Sequence, residues 1–470
     1  MIVNYTGSHH FLVHFALKFT VLFCLSQTAV FSEEMESFFE DGSIESQIRF
    51  FTIKRDYKEF KKNSEGNFKM PYRYQRSSTA IGGYLGVKTG NYYGFSAGAT
   101  LYTSQPVFHN PPDEGGLLLL KNDQSGYSVL GEAYLKWEKG KTLVKVGRQR
   151  LSQYGFLSDC DVRMTPYTYE AAVIENRDLS QTVLRAGVVR GVKTVNDTAY
   201  IDFVNASKNL LIENPIERNP IRGDYNPAYY DTDRNYIGPK KNLYLASAVY
   251  NDIRYHAEVW DYYVPDFVNF LYVQGSYRFT TESLNNEIMF MGIKQDDVGN
   301  HVAGSINTWA YGIAIHSHYR HNVILGAAYT KVKYDENSLD GGTIIDSWGN
   351  GLLYNSLFYN GGDQAGTNAY SLSVSYLFDF ADLKVDFTAG FFDLPNKLTD
   401  LYADQDNREY DLILTYKPRW NSHLHFKLVG IYVDFDTDYD YRAYEKYHGY
   451  QVLHMYDNVV DTRLVVNYTF

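Results

Sequence analysis

Asp434, Asp436, Asp438 and Asp440 recur at every second position, which on an extended chain stacks four carboxylates on one face. Phe435, Thr437, Tyr439 and Tyr441 take the other face. Like charges in such a column repel. The pattern therefore asks for a metal ion such as Ca2+, a divalent bridge to phosphate groups, or a guanidinium such as Arg442. A solvated hairpin is the simpler reading and takes precedence.

Hydrolytic chemistry is the next candidate. Gly94-Phe95-Ser96-Ala97-Gly98 matches the G-x-S-x-G pattern of a nucleophilic serine. That chemistry needs a sharp strand-to-helix turn, whereas this stretch alternates like a strand interior, and Ser96 lacks an evident His and acid partner. His316, His318 and His321 have spacing that suits a metal, yet they fall at a turn with no second ligand cluster nearby. Cys24 and Cys160 are the only cysteines. No catalytic set emerges, so the chain reads as a non-enzyme without a required cofactor.

The elements that would position these groups are strands. In the last twelve residues, Val460, Thr462, Leu464, Val466, Tyr468 and Phe470 alternate with Val459, Asp461, Arg463, Val465, Asn467 and Thr469. One mostly apolar set against one mostly polar set, at period two, marks a strand with a different solvent on each side. The same alternation is plain at 253–263, 368–378 and 383–392, where Arg254, His256, Glu258, Lys384 and Asp386 share the polar faces. The stretches 142–151 and 424–434 do not alternate cleanly and cannot be phased.

Eighteen strands can be counted, the first at 46–57, the second at 78–89 and the last at 459–470. Tight turns follow even strands, at Gly90-Asn91-Tyr92, Gly140-Lys141, Asp178-Leu179-Ser180 and Asn251-Asp252. Long segments such as Ser104–Gly126, Val195–Lys241, Tyr334–Thr367 and Phe435–Asn458 follow odd ones. Short turns on one rim and long loops on the other describe an all-β, antiparallel transmembrane barrel. A soluble sandwich has no reason to sort its loops by parity.

Composition agrees. Aromatic residues make up 16% of the 470-residue chain while mean hydropathy is −0.36. A barrel crosses a bilayer on alternate side chains and can stay polar on average. Phe11 to Phe31, interrupted by Lys18 and followed by Ser32 before Glu33, reads as an export signal over 1–32. Its removal takes away one lysine and no acid, so the net charge moves from −11 to −12. Cys160 is then the sole cysteine and no internal disulfide can form. Residues 33–45 are left as a short periplasmic segment, and 46–470 as the barrel.

Several ordered stretches resemble the OprD-type porins of Gram-negative outer membranes. They are Ala80-Ile81-Gly82-Gly83, Ser96-Ala97-Gly98 running to Thr103-Ser104-Gln105, and Val129 to Leu135. Lys145-Val146-Gly147-Arg148-Gln149-Arg150, Glu175-Asn176-Arg177-Asp178-Leu179 and Ala327-Ala328-Tyr329-Thr330-Lys331-Val332 continue the series. The resemblance implies an 18-stranded monomeric barrel in the outer membrane, narrowed by inward-folded loops and lined by an arginine ladder. It implies passive passage of small anionic or zwitterionic solutes such as amino acids, organic acids and short peptides. The terminal Phe470 also resembles the tail that the barrel-assembly machinery recognises. Lipid and lipopolysaccharide are the expected surroundings, with no nucleic-acid partner.

Within that frame Arg148, Arg150, Arg163, Arg177 and Arg185 are the candidate rungs, and Ser152–Pro166, carrying Asp159 and Asp161, is the candidate constriction. Arg49, Arg254 and Arg278 also fall on polar faces. Fixed guanidinium groups in a narrow aqueous pore lower the barrier for a carboxylate and can grip it with two donors. The competing readings are arginines that merely pair with wall acids, a barrel enzyme, or an adhesive barrel with no open pore.

Overall fold

The computed structural model describes residues 41–62, 68–108, 116–207, 229, 236–394, 405–436 and 454–470. The export signal, most of the segment after it, Asp438 and Asp440 lie outside the described residues. The strands are β1 Ser43–Lys62, β2 Phe68–Lys88, β3 Phe95–Pro106, β4 Tyr127–Lys139, β5 Thr142–Gln149 and β6 Thr168–Asn176. Next come β7 Thr182–Lys193, β8 Leu243–Asn251, β9 Tyr255–Val264, β10 Val268–Thr280, β11 Leu284–Asp297 and β12 Asn307–Tyr319. The last six are β13 Val323–Val332, β14 Asn368–Phe378, β15 Leu383–Asp393, β16 Asn407–Tyr416, β17 Leu424–Phe435 and β18 His454–Thr469.

Each strand pairs antiparallel with its neighbour in sequence, and β1 pairs with β18 from Gln47–Thr469 inward, so the sheet closes on itself. The fold is an 18-stranded antiparallel barrel. Closure leaves no unpaired edge, the condition for a sheet to sit in hydrocarbon. The pleat sorts side chains as the sequence requires. Leu372, Phe290, Leu325 and Leu428 stand exposed on the outer face, while Asp461, Glu409 and Ser104 are fully buried inside.

One hairpin differs from the sequence reading. The first hairpin is taller, with a connection of only 63–67, because the polar residues around Lys58–Lys62 extend the ladder past the point where alternation fades. The connection at 265–267 is short, in line with the expected strands at 253–263 and 268–279, and departs only from the rule that long segments follow odd strands.

The strand that could not be phased at 424–434 has a physical explanation. Its inner face is Val429, Ile431, Val433 and Phe435, all buried, because Phe358 and Tyr359 of an infolded loop cover it. Apolar residues therefore occupy both faces and erase the alternation. In β5 the irregular point is Gly147, at φ +123, where a Cβ would strike the Ala133 carbonyl of β4.

The long connections fold into the barrel. Residues 333–367, including a short 3-10 turn at Leu339–Gly342, bury Ile344, Ile345, Trp348 and Leu353 against inward side chains of β9 to β13. Leu117, Leu119 and Leu120 of the 107–126 connection pack on Phe51, Ile53 and Ala80. Burying apolar side chains at roughly 25 cal/mol per Å2 gives these loops a fixed seat on the wall.

Candidate functional site: a charged constriction across the barrel

Segment 150–167, which includes the span 152–166 expected to form a constriction, reaches from one wall of the barrel to the other. At one end Phe156 is fully buried among Tyr262, Phe270 and Trp348, with ring centroids 5.9, 5.0 and 5.3 Å away. The Tyr262 hydroxyl accepts from the Phe156 N–H and donates to the Tyr154 carbonyl, each at 2.9 Å. Gly155 is needed there: at φ +58, its Cβ would lie 2.4 Å from that hydroxyl. At the other end Arg49 of β1 donates to both Asp161 carboxylate oxygens, at 2.6 and 3.0 Å. Tyr262 and Phe270 lie on β9 and β10, halfway round the ring from the β1–β18 seam. The segment is therefore a bridge between opposite walls.

The charges on this bridge are unevenly matched. Asp159 accepts from Arg150 Nε at 2.8 Å, and Asp161 is held by Arg49. Arg163 is different. Its Nη1 donates to the Val162 carbonyl at 3.0 Å, while its Nε is buried without a hydrogen-bond partner among the described residues. Burial and the nearby Arg463 and Arg55 guanidiniums push Arg163 down to about 10.

The wall facing it is also basic. Asp461 of β18 is fully buried and receives two guanidiniums, Arg55 at 2.6 Å and Arg463 at 3.0 Å. With Asp411 and Glu409 of β16, which hold the Phe358–Asn360 stretch, three acids face the four cations Arg55, Arg163, Arg463 and Lys427. The Phe358 ring lies 5.1 Å from Arg463 Cζ and 5.2 Å from Lys427 Nζ, and Tyr359 lies 5.4 Å from Arg55. Arg163, Arg55, Arg463 and Lys427 thus form a basic patch roofed by two aromatic rings (contacts worth about 0.5–2 kcal/mol each).

The remaining expected rungs are dispersed. Arg185 is buried against Glu175 at 2.7 Å, with Tyr154 and Trp260 stacked near its guanidinium. Arg177 pairs with the other Glu175 oxygen at the short-turn rim. Arg278 pairs with Glu287 at 3.0 Å. Arg148 departs from the expected pore position: it shares its side of β5 with exposed Val146, and its partner Glu170, at 3.1 Å, shares its side of β6 with exposed Ile174. Pleat parity places this pair on the outer face. Asp434 lies opposite Arg408 in the β16–β17 register, on the side of exposed Tyr432.

Sequence reasoning missed Arg55, Arg463 and Lys427 as a group. Arg463 was visible on the polar set of the tail, but its convergence with β1 and β17 needs the closed register. Ser96 lies inside β3 opposite Lys136, with no strand-to-helix turn, and His321 pairs with Asp379 at 2.7 Å in the short-turn rim.

Solved structures share this architecture. Pseudomonas aeruginosa OccK9 (OpdG) aligns over 92% of this chain and 99% of its own, with TM-score 0.70 and 16% identity. Pseudomonas aeruginosa OpdK, solved with vanillate, covers the same shares at TM-score 0.66 and 16% identity. The chain has the OprD-type porin fold. Acinetobacter baumannii OccAB2 aligns over 92% of this chain and 99% of its own, also at TM-score 0.66 and 16% identity. No protein-family model and no curated protein matches the sequence.

Proposed function

We propose that the protein is an outer-membrane porin, exported by the signal at 1–32 and assembled from its Phe470 tail. It gives passive, selective passage to small carboxylate-bearing solutes: amino acids, small organic acids and short peptides. The observation that carries the reading is Arg163, an arginine with a buried, unpartnered Nε facing a wall where Arg55 and Arg463 outnumber Asp461. Preorganised positive charge in a narrow, low-dielectric passage favours a carboxylate over a cation. Arg150, with Asp159, borders the same passage. The vanillate in OpdK is a small aromatic carboxylate, in keeping with this solute class and with a basic patch under Phe358 and Tyr359.

Planar-bilayer recordings test the reading. Single-channel steps with an anion-selective reversal potential are expected, and Arg163→Gln should reduce anion-over-cation permeability several-fold. Liposome swelling with amino acids, dicarboxylates and neutral sugars would rank the solutes. A second reading, a barrel with no open pore, draws on the apolar packing that seats the loops across the lumen. A silent bilayer would favour it and end the porin proposal.

A further inference from the structure

Three histidines line one inner wall of the barrel toward its short-turn rim. His316 and His318 lie on β12, not in the turn after it, and share a face with buried Thr308, Ala310 and Ala314. His256 lies on β9, on the face of buried Trp260 and Tyr262. Pleat parity turns all three into the lumen, because Ile313, Ile315 and Val259 stand exposed on the opposite faces. The wall makes room for His316. Gly326 is opposite it on β13, and a Cβ there would strike the Ser373 hydroxyl of β14 and lie 3.1 Å from the His316 ring.

The charges around these rings nearly balance. Opposite His316 on β11 is Glu287, which accepts from the Ser276 hydroxyl at 2.5 Å and from Arg278 Nε at 3.0 Å. His256 lies 3.9 Å from Glu258, which also accepts from the Trp260 indole N–H at 3.0 Å. The other facing residues are neutral: Ser276 of β10 and Asn251 of β8 for His256, Asn285 of β11 and Ile324 of β13 for His318. From the infolded loop 333–367, Tyr354 has a buried hydroxyl with no hydrogen-bond partner among the described residues, and Glu258 and Glu287 are its charged neighbours. Asp252 and Arg254 belong to the turn before β9, while Glu282 and Arg320 in the adjoining turns offset one another. Asp252, Glu258 and Glu287 against Arg254 and Arg278 leave this wall one charge negative while the histidines are neutral. With all three protonated it is two charges positive. Across the lumen Arg55, Arg163, Arg463 and Lys427 outnumber Glu409, Asp411 and Asp461 by one.

We propose that His256, His316 and His318 set the charge type of solute that the short-turn half of the pore admits, changing it from zwitterionic to anionic as the medium is acidified. The inference rests on the porin reading above. With neutral histidines the two walls carry opposite excess charge. The field between them holds a zwitterion with its anionic end toward β17 and β18 and its ammonium toward β9 to β11. With protonated histidines both walls are positive, so the ammonium loses its favourable side and an anion gains a second one. Histidine suits the task because its ordinary titration, at about pH 6.5, lies within the range a cell surface meets.

Reversal potentials of the full-length protein in planar bilayers, at about pH 8 and about pH 5.5 in 0.1 M salt, test it. Wild type should gain anion-over-cation permeability several-fold on acidification. Liposome swelling should move in parallel from taurine, a zwitterion, toward isethionate, an anion of similar size, since neither probe changes charge over this range. His256→Gln/His316→Gln/His318→Gln should lose both shifts and behave at the lower pH as at the higher. His316→Lys should keep part of the acid-side selectivity at the higher pH. Channel steps from each variant report that its barrel has folded; if the triple variant gives none, the three single Gln variants carry the test, each losing part of the shift. A shift that survives these replacements would belong to other groups, such as Glu409, Asp411 or His425 across the lumen, and overturn the proposal. A conducting wild type whose reversal potential ignores pH ends this proposal alone, whereas a silent bilayer ends the porin reading and this one with it.

Discussion

Arg49 and Asp161 join the first strand to the constriction segment through two parallel hydrogen bonds of 2.6 and 3.0 Å. Arg49 also donates to Asn467 of the closing strand at 2.9 Å and to the Arg163 carbonyl at 2.5 Å. One buried guanidinium therefore ties the seam of the barrel to the segment that crosses its lumen. Asp161→Asn should leave Arg49 partly uncompensated and weaken this anchor by about 1–3 kcal/mol. Larger and noisier single-channel conductance is expected, with the barrel's thermal stability nearly unchanged because the sheet does not depend on the pair. A conductance identical to wild type would show that the Phe156 end alone fixes the segment.

Glu409 clasps the second infolded loop. Fully buried on β16, it accepts from the N–H groups of Tyr359 and Asn360, each at 2.8 Å, and from the Asn360 amide at 2.5 Å. Asp411 adds the Phe358 N–H at 3.4 Å. A carboxylate serving three donors holds Phe358 and Tyr359 over the basic wall. Glu409→Ala leaves those donors unsatisfied, at about 1–3 kcal/mol each if they stay buried. The loop should release, raising conductance and lowering discrimination between carboxylates and neutral sugars of equal size; Glu409→Gln should do so less.

The same loop should respond to acid. Asp346 and Asp363 both lie in 333–367, where burial holds their carboxyls above the ordinary range and the charge of Asp363 lifts Asp346 further. A folded-state value above the unfolded one means that the packed loop binds protons more readily than the open loop. Its stability is thus full below the ordinary carboxyl range, near pH 4, and declines as pH rises through the raised values. Limited proteolysis within 333–367 should be slower at pH 5 than at pH 8. Asp346→Asn/Asp363→Asn should remove that difference by mimicking the protonated pair; a pH dependence that survives would assign it to other groups.

The barrel was largely legible because alternation and loop parity are local consequences of a wall with two solvents. Strands 127–139 and 368–378 coincide with the expected spans, and in the second exposed Tyr370, Leu372 and Val374 alternate with inward Ser371, Ser373 and Ser375. Legibility failed where the second solvent is protein. Val429, Ile431 and Val433 look inward yet are apolar because Phe358 and Tyr359 cover them, information held about seventy residues away. Similarly, Arg55, Arg163 and Arg463 gather only once β1 has met β18 and the bridge has crossed the lumen.

Arg148 and Arg150 provide the sharpest contrast between sequence and structure. Two residues apart at the end of β5, they share a residue type and would be equivalent rungs if sequence position alone placed them. Arg148 instead pairs with Glu170 beside exposed Val146 and Ile174, whereas Arg150 leaves the strand to hold Asp159 on the constriction. Neutralising a charge moves pore selectivity only if its field reaches the passage, and outside the wall it is screened by its partner and by salt over about 10 Å. Arg148→Gln should therefore leave the reversal potential within a few millivolts of wild type, while Arg150→Gln frees Asp159 and should shift it clearly toward cations. The recordings belong in 0.1 M salt, where screening still spares charges inside the lumen. Equal shifts from the two variants would mean that Arg148 faces water in the pore, against the parity of β5 and β6.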